Sequence, residues 1–110
     1  RFIMGELIRE QVILHTREEV PHSVAIAIDK VEESESITRI LATVNVERKS
    51  QKGILIGKGG LMMKAISTAA REQMQKLVAG PVYLEVFVRV QSQWRQSSTR
   101  LAEFGYKVDK

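Results

Sequence analysis

The sequence contains no cysteine. This absence excludes a disulfide framework and every zinc, iron–sulfur or thiol-nucleophile site that is built on cysteine. Long apolar runs are also missing: the run over residues 24–28 is far shorter than the roughly 20 residues that a membrane-spanning helix needs. We find no internal repeat and no low-complexity tract. These absences leave a globular domain as the class of protein to consider.

The length of 110 residues fits one domain with a single hydrophobic core. Apolar residues make up 44% of the chain and charged residues 27%, which is typical of a folded domain rather than of a disordered segment. The sequence starts with Arg1-Phe2-Ile3, without a methionine and without a signal-peptide pattern. We therefore expect the chain to be part of a longer polypeptide.

Positive charge is concentrated in one part of the chain. The formal net charge is +4, but residues 1–46 carry a net −3, residues 47–76 a net +5 and residues 77–110 a net +2. The basic stretch also contains four of the seven glycines. Basic residues grouped around a glycine loop indicate a partner that carries phosphate.

Hydrophobic periodicity predicts an α+β fold. The predicted order is a helix over 2–16, a strand over 24–28, an acidic turn over 32–36, a strand over 37–48, a short helix, a glycine loop, a helix over 61–79, a strand over 82–90 and a helix over 93–104. The short polar connection predicts that the first two strands pair antiparallel, and the helical crossover allows the third to pair in parallel. We expect a three-stranded mixed sheet with helices packed on its apolar face.

The spacing of apolar residues also predicts the buried faces of the two long helices. In the first helix the predicted face contains Ile3, Leu7 and Leu14, with Ile8 and Val12 beside it. In the helix over 61–79 the predicted apolar stripe is Met62, Ile66, Ala70, Met74 and Leu77. In the third strand Tyr83 and Phe87 are predicted to face outward.

The segment Ile54-Leu55-Ile56-Gly57-Lys58-Gly59-Gly60 is the main candidate for a functional site. Glycine admits backbone angles and close approaches that a Cβ would block. The helix that follows presents unpaired N–H groups and the positive end of its dipole. Lys58 adds a positive charge at the tip of the loop. This combination favours phosphate binding.

Three phosphate-binding motifs compete for this segment, and two of them fit poorly. A Walker A loop needs four residues between its first glycine and the Gly-Lys pair, followed by Ser or Thr. Here three residues separate Gly53 from Gly57, and Gly59 follows Lys58. A dinucleotide fingerprint that starts at Gly57 would need Gly or Ala where Met62 stands. A G-x-x-G loop that clamps a nucleic-acid backbone between two helices remains, beside the alternative of a turn that only connects two helices.

Side chains around the loop predict a groove with one charged wall. Ile54 and Ile56 are expected to form an apolar floor on which bases rest, with Lys52 and Lys64 on either side. Gln51 is a further candidate for a polar contact with the nucleic acid. The predicted nucleic-acid-binding residues are therefore Gly57, Lys58, Gly59, Gly60, Ile54, Ile56, Lys52, Gln51 and Lys64.

Catalytic and metal-binding patterns are weak. His15 and His22 are the only histidines, one on a predicted helix and one in a turn, and neither has a close carboxylate cluster. No Ser/His/Asp arrangement stands out. Trp94 is expected to be a core residue of the last helix. We predict no catalytic residue and no metal ligand in this chain.

Several short motifs follow one another at a recognisable spacing. They are Val46-Glu47-Arg48, Ser50-Gln51-Lys52-Gly53-Ile54, Ile56-Gly57-Lys58-Gly59-Gly60, Glu18-Glu19-Val20-Pro21-His22-Ser23-Val24-Ala25, Val82-Tyr83-Leu84-Glu85, Trp94-Arg95 and Gly105-Tyr106. Together these motifs resemble the KH domain that ends the Era family of GTPases, over nearly the whole chain. The G-x-x-G loop alone is a weak signal, whereas the full set in this order is specific.

The resemblance implies a type II KH domain over residues 1–110 that binds single-stranded RNA, in this family the 3′ end of small-subunit ribosomal RNA during subunit maturation. The implied partners are this RNA, the small ribosomal subunit and an upstream GTPase domain. GTP and Mg²⁺ are expected only in that domain, so the chain itself is predicted to be no enzyme and to hold no cofactor. The implied location is cytoplasmic, with a peripheral membrane or organellar location as alternatives. A KH-like module for protein docking, on the ribosome or against its own GTPase domain, is the alternative function.

Overall fold

The structure, a computed structural model, describes residues 2–16 and 24–91. Its elements are α1 (Phe2–Thr16), β1 (Ala25–Glu33), β2 (Thr38–Val46), α2 (Lys49–Ile56), α3 (Leu61–Val78) and β3 (Val82–Val90). A single 3-10 turn, Lys58–Gly60, lies between α2 and α3. The predicted order is confirmed for these elements. The predicted helix over 93–104, with Trp94, lies outside the described residues, and so does His22.

The three strands form one mixed sheet in the order β1-β2-β3. β1 and β2 are antiparallel, and β2 and β3 are parallel. The parallel pairing is possible because α2 and α3 carry the chain back across the sheet before β3 begins. The predicted three-stranded mixed sheet is therefore confirmed.

The first strand is longer than its apolar run. β1 continues through Glu33, and Glu32 pairs with Arg39 on β2. Opposite charges on facing strands favour continued pairing. The turn is closed farther along by Ser34, whose backbone N–H and hydroxyl both donate to the carbonyl oxygen of Ile37, at 3.0 and 2.9 Å. The prediction that the turn begins at Glu32 was therefore wrong.

The hydrophobic core lies between one face of the sheet and the helices. Its fully buried side chains are Ile8, Val12, Ile40, Ala42, Val44, Val46, Leu55, Ile66, Ala70 and Met74. Four of them alternate along β2 because successive strand residues point to opposite faces. Three of the five residues of the predicted α3 stripe are buried, and Met62 packs against the core, but Leu77 is 52% exposed near the helix end.

The buried face of α1 agrees with the predicted one at Leu7, Ile8 and Val12 but not at Ile3 and Leu14. Ile3 and Leu14 are 54% and 61% exposed, whereas Gly5 is buried. Gly5 faces β1, and an added Cβ there would lie 3.8 Å from side-chain atoms of Ile26 and Ile28, an ordinary van der Waals distance. The helix turns its smallest residue toward the sheet, and the face with Ile3 and Leu14 points away. No helix in the two described ranges is both long and apolar enough to cross a membrane.

Candidate functional site

Residues 57–60, named the glycine loop below, connect α2 directly to α3. Gly57, Gly59 and Gly60 have φ angles of +74°, +63° and +78°. These values fall in the left-handed half of conformational space, which glycine adopts readily and other residues rarely. The ψ angle of 176° at Gly57 places that residue in a region that is essentially restricted to glycine. The loop therefore depends on glycine at three of its four positions.

Gly57 is restricted by space as well as by backbone angle. An added Cβ would lie 2.5 Å from Cβ of Met62 and 2.9 Å from its backbone nitrogen. An added Cβ at Gly59 or Gly60 would meet no atom within 4 Å. The first turn of α3 is thus packed directly against Gly57, whereas the other two glycines face open space.

Within the described ranges, two backbone N–H groups at the tip of the loop have no protein acceptor. The N–H of Gly60 donates to the carbonyl oxygen of Gly57 at 3.2 Å. In contrast, the N–H groups of Lys58 and Gly59 donate no hydrogen bond within residues 2–16 and 24–91. They lie just before the N-terminus of α3, where the helix dipole favours negative charge. The two backbone donors and the N-terminus of α3 together favour the binding of an anion such as a phosphate.

Three lysines around the loop are exposed to solvent: Lys52 on α2, Lys58 in the loop and Lys64 on α3. In the described part of the chain none of them forms an ion pair, and the recorded pair joins Lys30 to Glu32 on β1. Their charges are therefore not neutralised by nearby carboxylates. They add a positive field to the donors at the loop tip.

Ile54 and Ile56 lie in the last turn of α2, immediately before the glycine loop. Both are half-buried, and Ile54 packs against the core, while Leu55 between them is fully buried. Because neighbouring helical residues point about 100° apart, anchoring Leu55 leaves part of each isoleucine at the surface. The predicted apolar residues and the loop are thus brought together.

Gln51 is placed differently from the other predicted residues. Its Oε1 accepts hydrogen bonds from the backbone N–H groups of Glu47 and Arg48, at 3.0 and 2.9 Å. These bonds cap the start of α2. Glutamine at the third helical position signals a capping box when Ser or Thr stands at the N-cap, but Arg48 stands there, so the sequence pattern does not predict this role. The contact of Gln51 with RNA stays a prediction.

Gln75 has a connecting role that sequence reasoning missed. Its Oε1 accepts hydrogen bonds from the backbone N–H of Val82 at 3.1 Å and from Nη1 of Arg71 at 3.0 Å. One side chain therefore ties the end of α3 to the start of β3. No sequence signal identifies this role of Gln75, because the N–H of Val82 comes within reach only in the folded chain.

The outward face of the sheet carries two aromatic side chains. Tyr83 and Phe87 are 45% and 50% exposed, as the alternation in β3 predicted. A hydrogen bond from the Tyr83 hydroxyl to Glu85, together with the charge of that carboxylate, raises the pKa of Tyr83. The guanidinium carbon of Arg39 lies 5.8 Å from the centre of the tyrosine ring. No cluster of three or more His, Cys, Asp or Glu that could hold a metal occurs among the described residues.

Comparison with known proteins places the chain in a family. The family described as KH domain matches residues 19–95. The chain is 73% identical to GTPase Era of a Nostoc species and 68% identical to GTPase Era of Rippkaea orientalis, each over 99% of this chain. GTPase Era of Syntrophus aciditrophicus is 48% identical over 96% of the chain. The chain spans only 34–35% of these relatives.

Two solved structures have the same fold. Aquifex aeolicus Era bound to GDP·AlF4⁻ matches with a TM-score of 0.86 at 34% identity, over 98% of this chain and 37% of that one. Era in complex with MgGDPNP and nucleotides 1506–1542 of 16S ribosomal RNA matches with a TM-score of 0.87, at the same identity and coverage. These matches confirm the predicted α+β architecture. The chain belongs to the KH domain family and corresponds to the C-terminal KH domain of GTPase Era.

Proposed function

We propose that this chain binds single-stranded RNA at the glycine loop. The observation that carries the proposal is the pair of backbone N–H groups at Lys58 and Gly59, which have no acceptor in the described part of the chain and lie beside an exposed lysine. The structure of an Era protein with a fragment of 16S ribosomal RNA supports RNA as the ligand class.

Each part of the site has a distinct role in this mechanism. The loop N–H groups and the N-terminus of α3 hold phosphate oxygens, and Lys58 adds charge attraction. The glycines let the RNA backbone approach closely, because no Cβ stands between it and the loop. The exposed parts of Ile54 and Ile56 offer an apolar surface for unstacked bases. A duplex keeps its bases stacked inside, so this arrangement favours a single strand.

The natural ligand in this proposal is the 3′ end of small-subunit ribosomal RNA, and the biological role is maturation of the small ribosomal subunit. Support comes from the Era complex with nucleotides 1506–1542 of 16S ribosomal RNA, which has the same fold as this chain. GTP and Mg²⁺ would be bound by the part of an Era protein that this chain does not span. The broken Walker A spacing around Gly53 and Lys58 agrees with that division. The cytoplasmic location stays a prediction.

Binding through the glycine loop is expected to weaken with salt. About three phosphate contacts, each contributing roughly −0.7 to the slope of log affinity against log salt for single strands, predict a 10- to 20-fold loss between 50 and 200 mM salt. Fluorescence anisotropy with a labelled single-stranded RNA measures this slope. A salt-independent affinity would contradict phosphate contacts as the source of binding.

A second candidate function is protein docking through α1, and a specific surface favours it. The outer face of α1 carries four apolar side chains, Phe2, Ile3, Ile13 and Leu14, which are between 39% and 79% exposed and lie on either side of the exposed Glu6 and Glu10. A groove of about 350 Å³ runs along this helix, and its lining includes Glu6, Arg9 and Glu10 as well as apolar residues. Exposed apolar patches of this kind mark interaction sites.

The occupant we propose for this face is the GTPase domain of the same polypeptide. Era relatives are about three times as long as this chain, so such a domain would be tethered and present at high effective concentration. α1 packs mainly on α3 and β1, with a smaller contact to α2, and its outer face points away from these partners. Docking on the outer face of α1 would thus leave the glycine loop accessible to RNA.

Replacing Ile3 and Leu14 together by glutamate is expected to separate the two domains in the complete GTPase. Proteolysis between the domains should become at least severalfold faster, while RNA affinity of the isolated chain should stay within about twofold, because both side chains are exposed and distant in sequence from the loop. The matched control replaces Leu77 and Phe87 by glutamate. These side chains are 52% and 50% exposed and lie on other surfaces. Equal cleavage rates for the two double variants would contradict docking at α1.

A further inference from the structure

We propose that Gln51 is a positioning residue for the glycine loop and acts by fixing α2 rather than by touching RNA. This inference rests on the proposed function of the loop. α2 has only eight residues, and Leu55 is its one fully buried side chain. Its last residue, Ile56, is followed directly by Gly57. Anything that moves α2 therefore moves the loop, and the side chains of α2 that reach the core are Leu55 and the half-buried Ile54.

The hydrogen bonds of Gln51 supply a second attachment. Its Oε1 receives the N–H groups of Glu47 and Arg48, the two residues between the end of β2 and the start of α2. Arg48 is extended, with φ −133° and ψ 151°, as is usual for the residue that precedes a helix, so helical geometry begins only at Lys49. Substitution of Gln51 would remove the acceptor oxygen that these two N–H groups share.

The strand end to which Gln51 connects α2 is itself fixed. The backbone N–H of Gln91, just after β3, donates to the carbonyl oxygen of Val46 at 2.7 Å. Val46 is fully buried and is the last residue of β2. Gln51 thus links the helix that carries the loop to a rigid corner of the sheet. The orientation of the loop relative to the sheet depends on this link.

Positioning and direct contact predict opposite rankings of two substitutions. If Gln51 positions α2, Gln51→Glu keeps the acceptor oxygen and adds a charge that the start of a helix favours. Affinity for RNA should then stay within about twofold, whereas Gln51→Ala should weaken it about fivefold, because the acceptor that two N–H groups share is lost. If the amide of Gln51 contacts RNA, Glu loses the donor and repels phosphate, so it should bind more weakly than Ala.

The test measures anisotropy of a labelled single-stranded RNA with the 3′-terminal sequence of 16S ribosomal RNA, at a temperature where every variant is fully folded by circular dichroism. Gln73→Glu is the matched control, because it adds the same charge at an exposed position of α3. Amide hydrogen exchange of residues 57–60 is the second readout, and Gln51→Ala should raise it while Gln51→Glu should not.

Either of two results would overturn the inference: weaker binding by the Glu variant than by the Ala variant, or loop exchange unchanged in the Ala variant. Failure of the proposed function would look different. In that case the parent chain would not bind RNA, yet Gln51→Ala would still raise exchange in the loop, which supports the positioning role by itself.

Discussion

Replacing Lys58 and Gly59 together by aspartate is expected to weaken single-stranded RNA binding by about a hundredfold. The change removes one positive charge and adds two negative charges where phosphates are proposed to sit. Each unit charge about 4 Å from a phosphate in water is worth roughly 1 kcal/mol, so three give about 3 kcal/mol. The fold should persist, because Lys58 is exposed and a Cβ at Gly59 meets no atom within 4 Å. Aspartate also tolerates positive φ better than most residues.

A matched control separates this local effect from the change in net charge. Gln73→Asp with Lys76→Asp alters the charge by the same amount at exposed positions of α3, and we expect less than about a threefold effect on affinity. Binding of RNA by the loop variant at the parent's affinity would show that the glycine loop is not the site. If the parent binds a protein partner and no RNA, docking is the function of the chain.

Gly57→Ala is expected to lower the free energy of unfolding by about 3–5 kcal/mol, from backbone strain and overpacking together. Its Cβ would stand 2.5 Å from Cβ of Met62, and its φ and ψ angles of +74° and 176° are strained for any side chain. Relief requires that α2 and α3 move apart at the loop. Urea denaturation followed by circular dichroism measures the change.

Alanine substitutions of two other glycines serve as comparisons for Gly57→Ala. Gly60→Ala introduces only the cost of a left-handed backbone angle, about 1–2 kcal/mol, because its Cβ faces open space. Gly53→Ala lies inside α2, again with no atom within 4 Å, and should stabilise the chain by about 0.5–1 kcal/mol. If Gly57→Ala lowered the free energy of unfolding no more than Gly60→Ala does, Met62 would not pack closely against Gly57.

The buried strand residues and the glycine loop were predictable because the local sequence pattern, alternation or clustered glycine, agrees with the tertiary structure there. Ile40, Ala42, Val44 and Val46 alternate in the sequence and are all fully buried. In a strand that pairs on both sides, alternation leaves two possible faces, and only one of them is apolar. The loop was predictable for a different reason: clustered glycines interrupt a helical pattern, and the residues on either side of residues 57–60 continue as helix.

Helix faces were less predictable because apolar residues occur around much of α1. Periodicity identified Ile3 and Leu14 as well as Ile8 and Val12, but only the latter pair is buried. Gly5 also lies on the buried face, against Ile26 and Ile28, and hydrophobic periodicity carries no signal for a glycine. Gln51 was predicted only as a candidate for a polar contact with RNA, and its hydrogen bonds depend on the connection between β2 and α2, which periodicity does not describe.

The parallel pairing of β2 with β3 has a consequence for how the chain folds. Thr38 pairs with Val82 and Val46 with Val90, so partners are 44 residues apart in the chain, and the glycine loop lies within that interval. Bringing together residues so far apart in the chain costs conformational entropy before any strand contact forms. We therefore expect β3 to dock late, after the local β1–β2 hairpin has formed. The proposed RNA site and the completed sheet would then form in the same kinetic step. A nascent chain that has not yet been synthesised past Val90 would contain the whole loop sequence and still lack the site.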